Sequence, residues 1–388
     1  NIEYRWMAGL AMTQSNKKFL LKDHLFNRKK VESIAFELQR VHPTFQAKGF
    51  VSDTVKGFKE RELKARISWM AEMLKKYLPP DYRKATKLIL KSLPPPADPS
   101  LSDGDFGDFI YAPYNEFVFR YGCNENDLEF SLQALYQLTQ RFSAEDAIRY
   151  FINAFPDRTM EKIHEWKYDS HYHVRRLCSE GLRPKLPWAK KIGLPLESAL
   201  PVLDELFADS TRFVTRSVAN HMNDISKEDP SLVVKTLLRW KSTGRQKPEE
   251  MAFIINHSLR GLIKQGHPEA MKLLGYAQNP AIRISDFTVP GKARIGSSLA
   301  FELTVHARKP CDLIIDFLIY FRNKVGELNR GKVFKLKRLR LDRGEEVHLR
   351  KTHQLQANMT TRTLYPGEHM LELQINGQSR GKRSFEIY

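Results

Sequence analysis

The sequence has few cysteines, no long apolar run and a shortage of acids. Only Cys123, Cys178 and Cys311 occur in 388 residues. They are too widely spaced for a disulfide framework or a zinc motif. No apolar stretch approaches the ~18–20 residues of a membrane span, and no Lys/Arg-flanked apolar segment of the signal-peptide kind is visible. These absences lead to an expectation of a cytoplasmic protein with no membrane partner. The histidines His164, His171 and His173 do not share a helix face at ligand spacing, so neither metal nor cofactor is expected. Acids are outnumbered, with 45 Asp and Glu against 63 Lys and Arg, a net charge of +18. That balance favours a polyanionic partner, nucleic acid or an anionic membrane.

The chain is long enough for two or three domains, and 41% hydrophobic residues support real cores. From about 16 to 277 the apolar spacing is helical. In ERELKARISWMAEMLKKYL (60–78), Leu63, Ile67, Met70, Met73 or Leu74 and Leu78 recur every three or four residues. Pro79 and Pro80 stop that helix, and Asp81 caps the next, over 81–93. Residues 94–114 are rich in breakers and read as a loop. Helices are expected again at 127–140, 143–155, 157–167, 170–182, 198–208, 210–225, 229–240, 249–265 and 267–277. Short helices with short connections, in pairs recurring every ~30–40 residues, suit a HEAT-like α-helical solenoid. A plain globular helical domain fits the pattern too.

After Pro280 the periodicity changes. SLAFELTVHA (298–307), CDLIIDFLIYFR (311–322), KVFKLKRLRL (332–341), EEVHLRKTHQL (345–355) and GEHMLELQING (367–377) read as strands between turns. Five to seven of them imply a β-sandwich, so the expected fold is multidomain, α then β. Residues 283–388 carry 20 Lys and Arg against 11 Asp and Glu, half the excess charge of the whole chain.

One stretch, HYHVRRLCSEGLRPKLPWA (171–189), stands out. On a helix, Arg176 and Glu180 are i,i+4 neighbours, and RPKLPW holds Trp188 on a stiff corner. A surface ion pair and a core indole would explain the same residues. A rigid indole near a carboxylate and a guanidinium also suits a flat cationic ring beside a phosphate. The helix at 210–225 carries Arg216, Ser217, Asn220, His221 and Asp224 on its polar faces. Small hydrogen-bonding residues suit a groove lining better than a solvated face. The helix at 143–155 adds Glu145 and Arg149, again at i,i+4.

HVRRLCSEGLRPKLPWA followed by VTRSVANHMNDISKEDP resembles the DNA alkylation repair glycosylases, specifically the AlkC type of the AlkC/AlkD superfamily. FLLKDHLFN (19–27) and ELKARI (62–67) match the same type. The basic tail, with GKVFKLK and YPGEHMLELQING, resembles the Ig-like domain that some members append. The resemblance implies a HEAT-like glycosylase domain over 16–280 and an Ig-like β-sandwich over 283–388. It further implies a monomer of the bacterial nucleoid that cradles double-stranded DNA containing alkylated bases. Such a protein removes N-methylated bases, mainly 3-methyladenine and 3-methylcytosine. By the same resemblance Glu180, Glu145 and Asp224 are expected to be the catalytic acids. Arg176 would grip the backbone at the lesion with Arg175 beside it, and Trp188 would face the lesion. Trp166 would be a second aromatic contact or core. Arg216, Asn220 and His221 would line the groove, while Lys335 and Lys337 would lie along phosphates or on a solvated strand face. A non-catalytic DNA-binding scaffold of the same two parts is the alternative.

Overall fold

The computed structural model describes residues 20–98, 100, 106–357 and 363–388. The expected start of the helical domain, residues 16–19, and part of the breaker-rich loop lie outside these. The described chain forms two compact units, one ending at His221 and the other running from Met222 to Tyr388.

The first unit is helical. In chain order its helices are α1 (Leu21–Leu25), α2 (Arg28–Val41), α3 (Ala47–Lys56), α4 (Leu63–Tyr77), α5 (Tyr82–Ser92), α6 (Ala112–Gly122), α7 (Leu128–Thr139), α8 (Ala147–Ala154), α9 (Pro156–Trp166), α10 (Tyr172–Glu180), α11 (Leu200–Leu206) and α12 (Arg212–Ile225), the last reaching four residues into the second unit. Many pack on a chain neighbour or on the next but one, as in α4 with α6 and α6 with α8, while α5 packs chiefly on α2. This is how stacked helix pairs bury their stripes. Asp81 caps α5 as expected, accepting from Lys84 N at 2.7 Å.

Three local differences from the sequence expectations matter. Helix α6 begins inside the segment expected to be a loop, because AP reads as a breaker. Pro113 instead occupies the first turn, where its missing N–H costs nothing. In α4 the buried stripe includes Arg66, which donates to the carbonyls of Lys22 and Phe26, both at 3.0 Å. The helix expected from 143 begins only at Ala147. Asn115 Nδ2 donates to the carbonyls of Phe142 and Ser143, at 3.3 and 3.2 Å, and holds the preceding residues in a turn.

In the second unit, α13 (Pro230–Thr243), α14 (Pro248–Ser258), α15 (Arg260–Lys264) and α16 (Pro268–Leu273) precede the strands. The single helix expected over 249–265 breaks at Leu259. Strands β1 (Ile282–Thr288), β3 (Ser298–Ala307) and β6 (Glu346–Gln354) make one sheet. The other runs β2 (Lys292–Ala293), β8 (Gln378–Ile387), β7 (Gly367–Ile375), β4 (Cys311–Tyr320) and β5 (Lys332–Leu341). Alternation puts Phe301 and Leu303 of β3 against Ile315 and Phe317 of β4 in the sandwich core. β5 forms an edge, with Phe334 stacked on Phe317 at 5.2 Å between centroids. Its Lys335 and Lys337 are exposed.

In this unit the turn before α16 meets the turn between β7 and β8 through bare backbone. A Cβ on Gly266 would lie 2.6 Å from the Gly377 carbonyl oxygen. Asn376 Nδ2 donates to the Ala277 carbonyl at 2.8 Å. Ile314 and Asp316, on the outer face of β4, are buried. Burial pushes the Asp316 carboxyl up to about 6, opposed by Arg338, Lys335 and Lys264.

Candidate active site

The turn between α7 and α8 presents Glu145. Ser143 Oγ donates to Glu145 Oε2 at 2.7 Å, and Arg176 Nη1 donates to the same oxygen at 2.8 Å. The Glu145 side chain keeps 28% of its surface exposed. Arg176 projects from α10 and is itself buried, with its guanidinium carbon 4.6 Å from the ring centre of Phe213 and 5.4 Å from that of Phe106. Those two rings meet edge to face at 5.0 Å. Aromatic faces on a buried guanidinium fix its plane and leave its N–H edge for carboxylates. Phe106, Thr139, Ser143, His173, Arg176 and Phe213 line a shallow surface depression.

Beneath this layer lies Glu180, only 1% exposed. Arg176 Nη2 stands 3.6 Å from Glu180 Oε2, longer than a hydrogen bond. The tighter ion pair is with Arg183, one turn further on, and Ser217 Oγ of α12 sits 2.5 Å from Oε2. Burial alone would raise the Glu180 pKa. The guanidiniums of Arg183 and Arg176, with the Ser217 hydroxyl, outweigh it and lower the value to about 2. Glu180 is therefore a permanent anion without access to solvent. In this conformation its carboxylate meets Arg183 and Ser217, with Arg176 at longer range. The i,i+4 spacing of Arg176 and Glu180 gave a face but not this depth.

The remaining expected residues separate. Arg175 is committed to Asp209, at 2.5 and 3.1 Å, and to the carbonyls of Asp169 and Ser170. This ties α10 to the turn before α12 and does not present the guanidinium to a ligand. Trp166 is buried, packed on Tyr136 at 5.7 Å. His221 is buried, with Nδ1 3.0 Å from the Ser179 carbonyl oxygen. Arg216 and Asn220 are half-buried on α12. Asp224 is buried and pairs with Lys227 at 2.8 Å.

Trp188 is 59% exposed and has a positive φ of 63°. A bulky residue there is strained by of order 1–3 kcal/mol and persists only where its surroundings enforce it. Sequence reasoning gave no part in the site to Phe106, Phe213 or Arg183, and none in its support to Arg149. Arg183 carried a local signal in its i,i+3 spacing from Glu180, and Arg149 one in its i,i+4 spacing from Glu145, whereas Phe106 and Phe213 carried none. Among the described residues no group of three or more His, Cys, Asp or Glu could hold a metal ion, and no helix is long and apolar enough to cross a membrane.

A helical-repeat unit with a buried Arg–carboxylate relay, joined to an Ig-like sandwich, defines the class. Residues 283–388 match the family model described as "Uncharacterised protein YhaZ, C-terminal Ig-like domain". The chain is 30% identical over 370 residues to the uncharacterized protein YhaZ of Bacillus subtilis (strain 168), covering 94% of this chain and 98% of that protein. A solved structure of the Pseudomonas fluorescens alkylpurine DNA glycosylase AlkC, bound to DNA containing an abasic site analogue, superposes with a TM-score of 0.84. It is 33% identical and covers 95% of this chain and all of that one. The chain belongs to the AlkC-type family with a C-terminal Ig-like domain.

Proposed function

We propose that this protein is a DNA glycosylase that hydrolyses the N-glycosidic bond of cationic N-alkylated bases, 3-methyladenine and 3-methylcytosine among them. The observation that carries this reading is a partly exposed carboxylate, Glu145, locked by Arg176, whose guanidinium lines a shallow depression together with Phe106 and Phe213. A base methylated on a ring nitrogen is already positively charged, so it leaves without a proton and no strong general acid is needed. Bond breaking builds positive charge on the sugar, as in other glycoside hydrolysis. A fixed carboxylate stabilises that charge and orients water on the sugar face. Glu145 takes this role, Arg176 aims it, and Glu180 keeps Arg176 in place. Trp188 is the exposed aromatic face for the lesion. A neutral base gains nothing from the carboxylate, and selectivity follows.

The test uses duplexes carrying a single 3-methyladenine or 3-methylcytosine, scored for abasic sites. Release from these and not from unmodified duplex supports the reading. Tight binding with no release would instead make the chain a DNA-binding scaffold. Borohydride should trap no covalent protein–DNA adduct, because among the described residues no lysine is placed as a desolvated nucleophile beside Glu145. Lys190, two residues beyond Trp188, has its ammonium over the Tyr150 ring at 5.3 Å.

Lys335 and Lys337, exposed on the edge strand β5, are assigned to phosphates. Replacing both by Gln should reduce the slope of log K against log salt by about 2, close to 0.9 for each phosphate no longer neutralised. An unchanged slope would return them to solvent.

A further inference from the structure

Helix α8 acts as a bracket for the turn that follows α10. Arg149 is almost wholly buried. Its Nη1 donates to the carbonyls of Gly181 at 2.9 Å and Arg183 at 2.8 Å, and its Nε donates to the carbonyl of Lys190. One guanidinium thus ties the entry of the turn to its exit. Two more residues of the same segment continue the series. Asp146 accepts from Lys190 N at 3.1 Å. Asn153 donates to the Lys191 carbonyl at 2.8 Å and accepts from Gly193 N at 3.1 Å. From α4, Lys64 donates to the Trp188 carbonyl itself. The helix lies close enough that a Cβ on Gly181 would stand 2.6 Å from Ile148 Cγ2. Every one of these bonds fixes backbone between 181 and 193, and none of them involves the Trp188 indole.

We propose that Arg149 is a positioning residue, with Asp146 and Asn153 its partners, that holds Trp188 in its strained exposed pose and aligns it with the Glu145–Arg176 pair. The role rests on the glycosylase reading above. Glu145 lies in the turn immediately before α8, and Glu180 and Arg183 border the far side of the bracket. One short helix therefore sets both the carboxylate and the indole. A misplacement of about 1 Å at either costs turnover steeply.

Removing Arg149 entirely would orphan buried carbonyls and could unfold the chain. The test therefore uses Arg149→Lys and the exposed-site variant Asn153→Ala in the full-length protein. Both are compared for turnover on 3-methyladenine duplex, binding of undamaged duplex, and anisotropy of the fluorescence component that Trp188→Phe removes. The expected result for each is a lower anisotropy of that component and a kcat reduced about ten-fold, with binding of undamaged duplex within about two-fold. In a Trp188→Ala background, Asn153→Ala should cost less than about two-fold, because coupled residues are not additive. Unchanged anisotropy, or full additivity with Trp188→Ala, would overturn the assignment. If the wild-type protein releases no base, the glycosylase reading fails, and the anisotropy still decides the bracket.

Discussion

Glu145→Gln is expected to lower turnover on a 3-methyladenine duplex by roughly 10²–10⁴-fold, the range for losing a positioned acid–base group. Binding of undamaged duplex should stay within a few-fold. The amide keeps the shape and still meets Arg176 and Ser143, so the pocket does not collapse. It removes only the charge that opposes the developing cation. Glu145 is the member of the Arg176 network with surface to offer, at 28% exposure against 1% for Glu180. Single-turnover rates separate the effect from product release. A Gln variant with wild-type single-turnover rate would remove Glu145 from the chemistry.

The second large effect belongs to Glu180, and it is one of stability. Glu180→Gln leaves Arg183 buried without this anion and removes one of the carboxylates beside Arg176. Breaking a buried ion pair by removing one partner costs about 3–5 kcal/mol. Urea unfolding at neutral pH should show a loss of that size, with turnover falling as Arg176 loses its support. The acid limb gives an independent check. Burial works against the Glu180 charge, but Arg183 and Arg176 prevail, so its pKa falls from an ordinary 4.5 to about 2. A carboxyl lowered on folding contributes stability that is fully present above the unfolded pKa. That contribution fades as pH falls from about 4.5 towards about 2. The gap between wild type and Glu180→Gln should close over the same window. A gap that is absent, or constant with pH, would contradict the network.

Much of the architecture was legible because its signals are local. Asp81 after two prolines marked a cap, and alternation in β3 and β4 marked strands. The exceptions were local too: Pro113 opens a helix that it was expected to exclude, and β8, QSRGKRSFEI, is too polar to show its alternation. The site was legible as a set of residues more than as an arrangement. Spacing brought Arg176 and Glu180 onto one helix but could not tell that Glu180 lies beneath Arg176, nor that Arg175 turns away to Asp209. Depth comes from what packs above, here Phe106 and Phe213, which reach Arg176 from well before and well after it in the chain. Spacing likewise paired Arg149 with Glu145 on one helix face. Its carbonyl acceptors lie more than thirty residues away, beyond any periodicity.

The glycine-to-glycine contact between residues 266 and 377 bears on how the tail can be studied. Shortening the chain after the last helix would remove the Gly377 backbone packed on Gly266 and the Asn376 amide that holds the Ala277 carbonyl, and so uncover backbone that has no side chain to shield it. A truncated protein that lost activity would report damaged helices as readily as missing phosphate contacts. Charge-neutral replacements along the edge strand leave that seam intact, and they are the means of asking what the sandwich contributes.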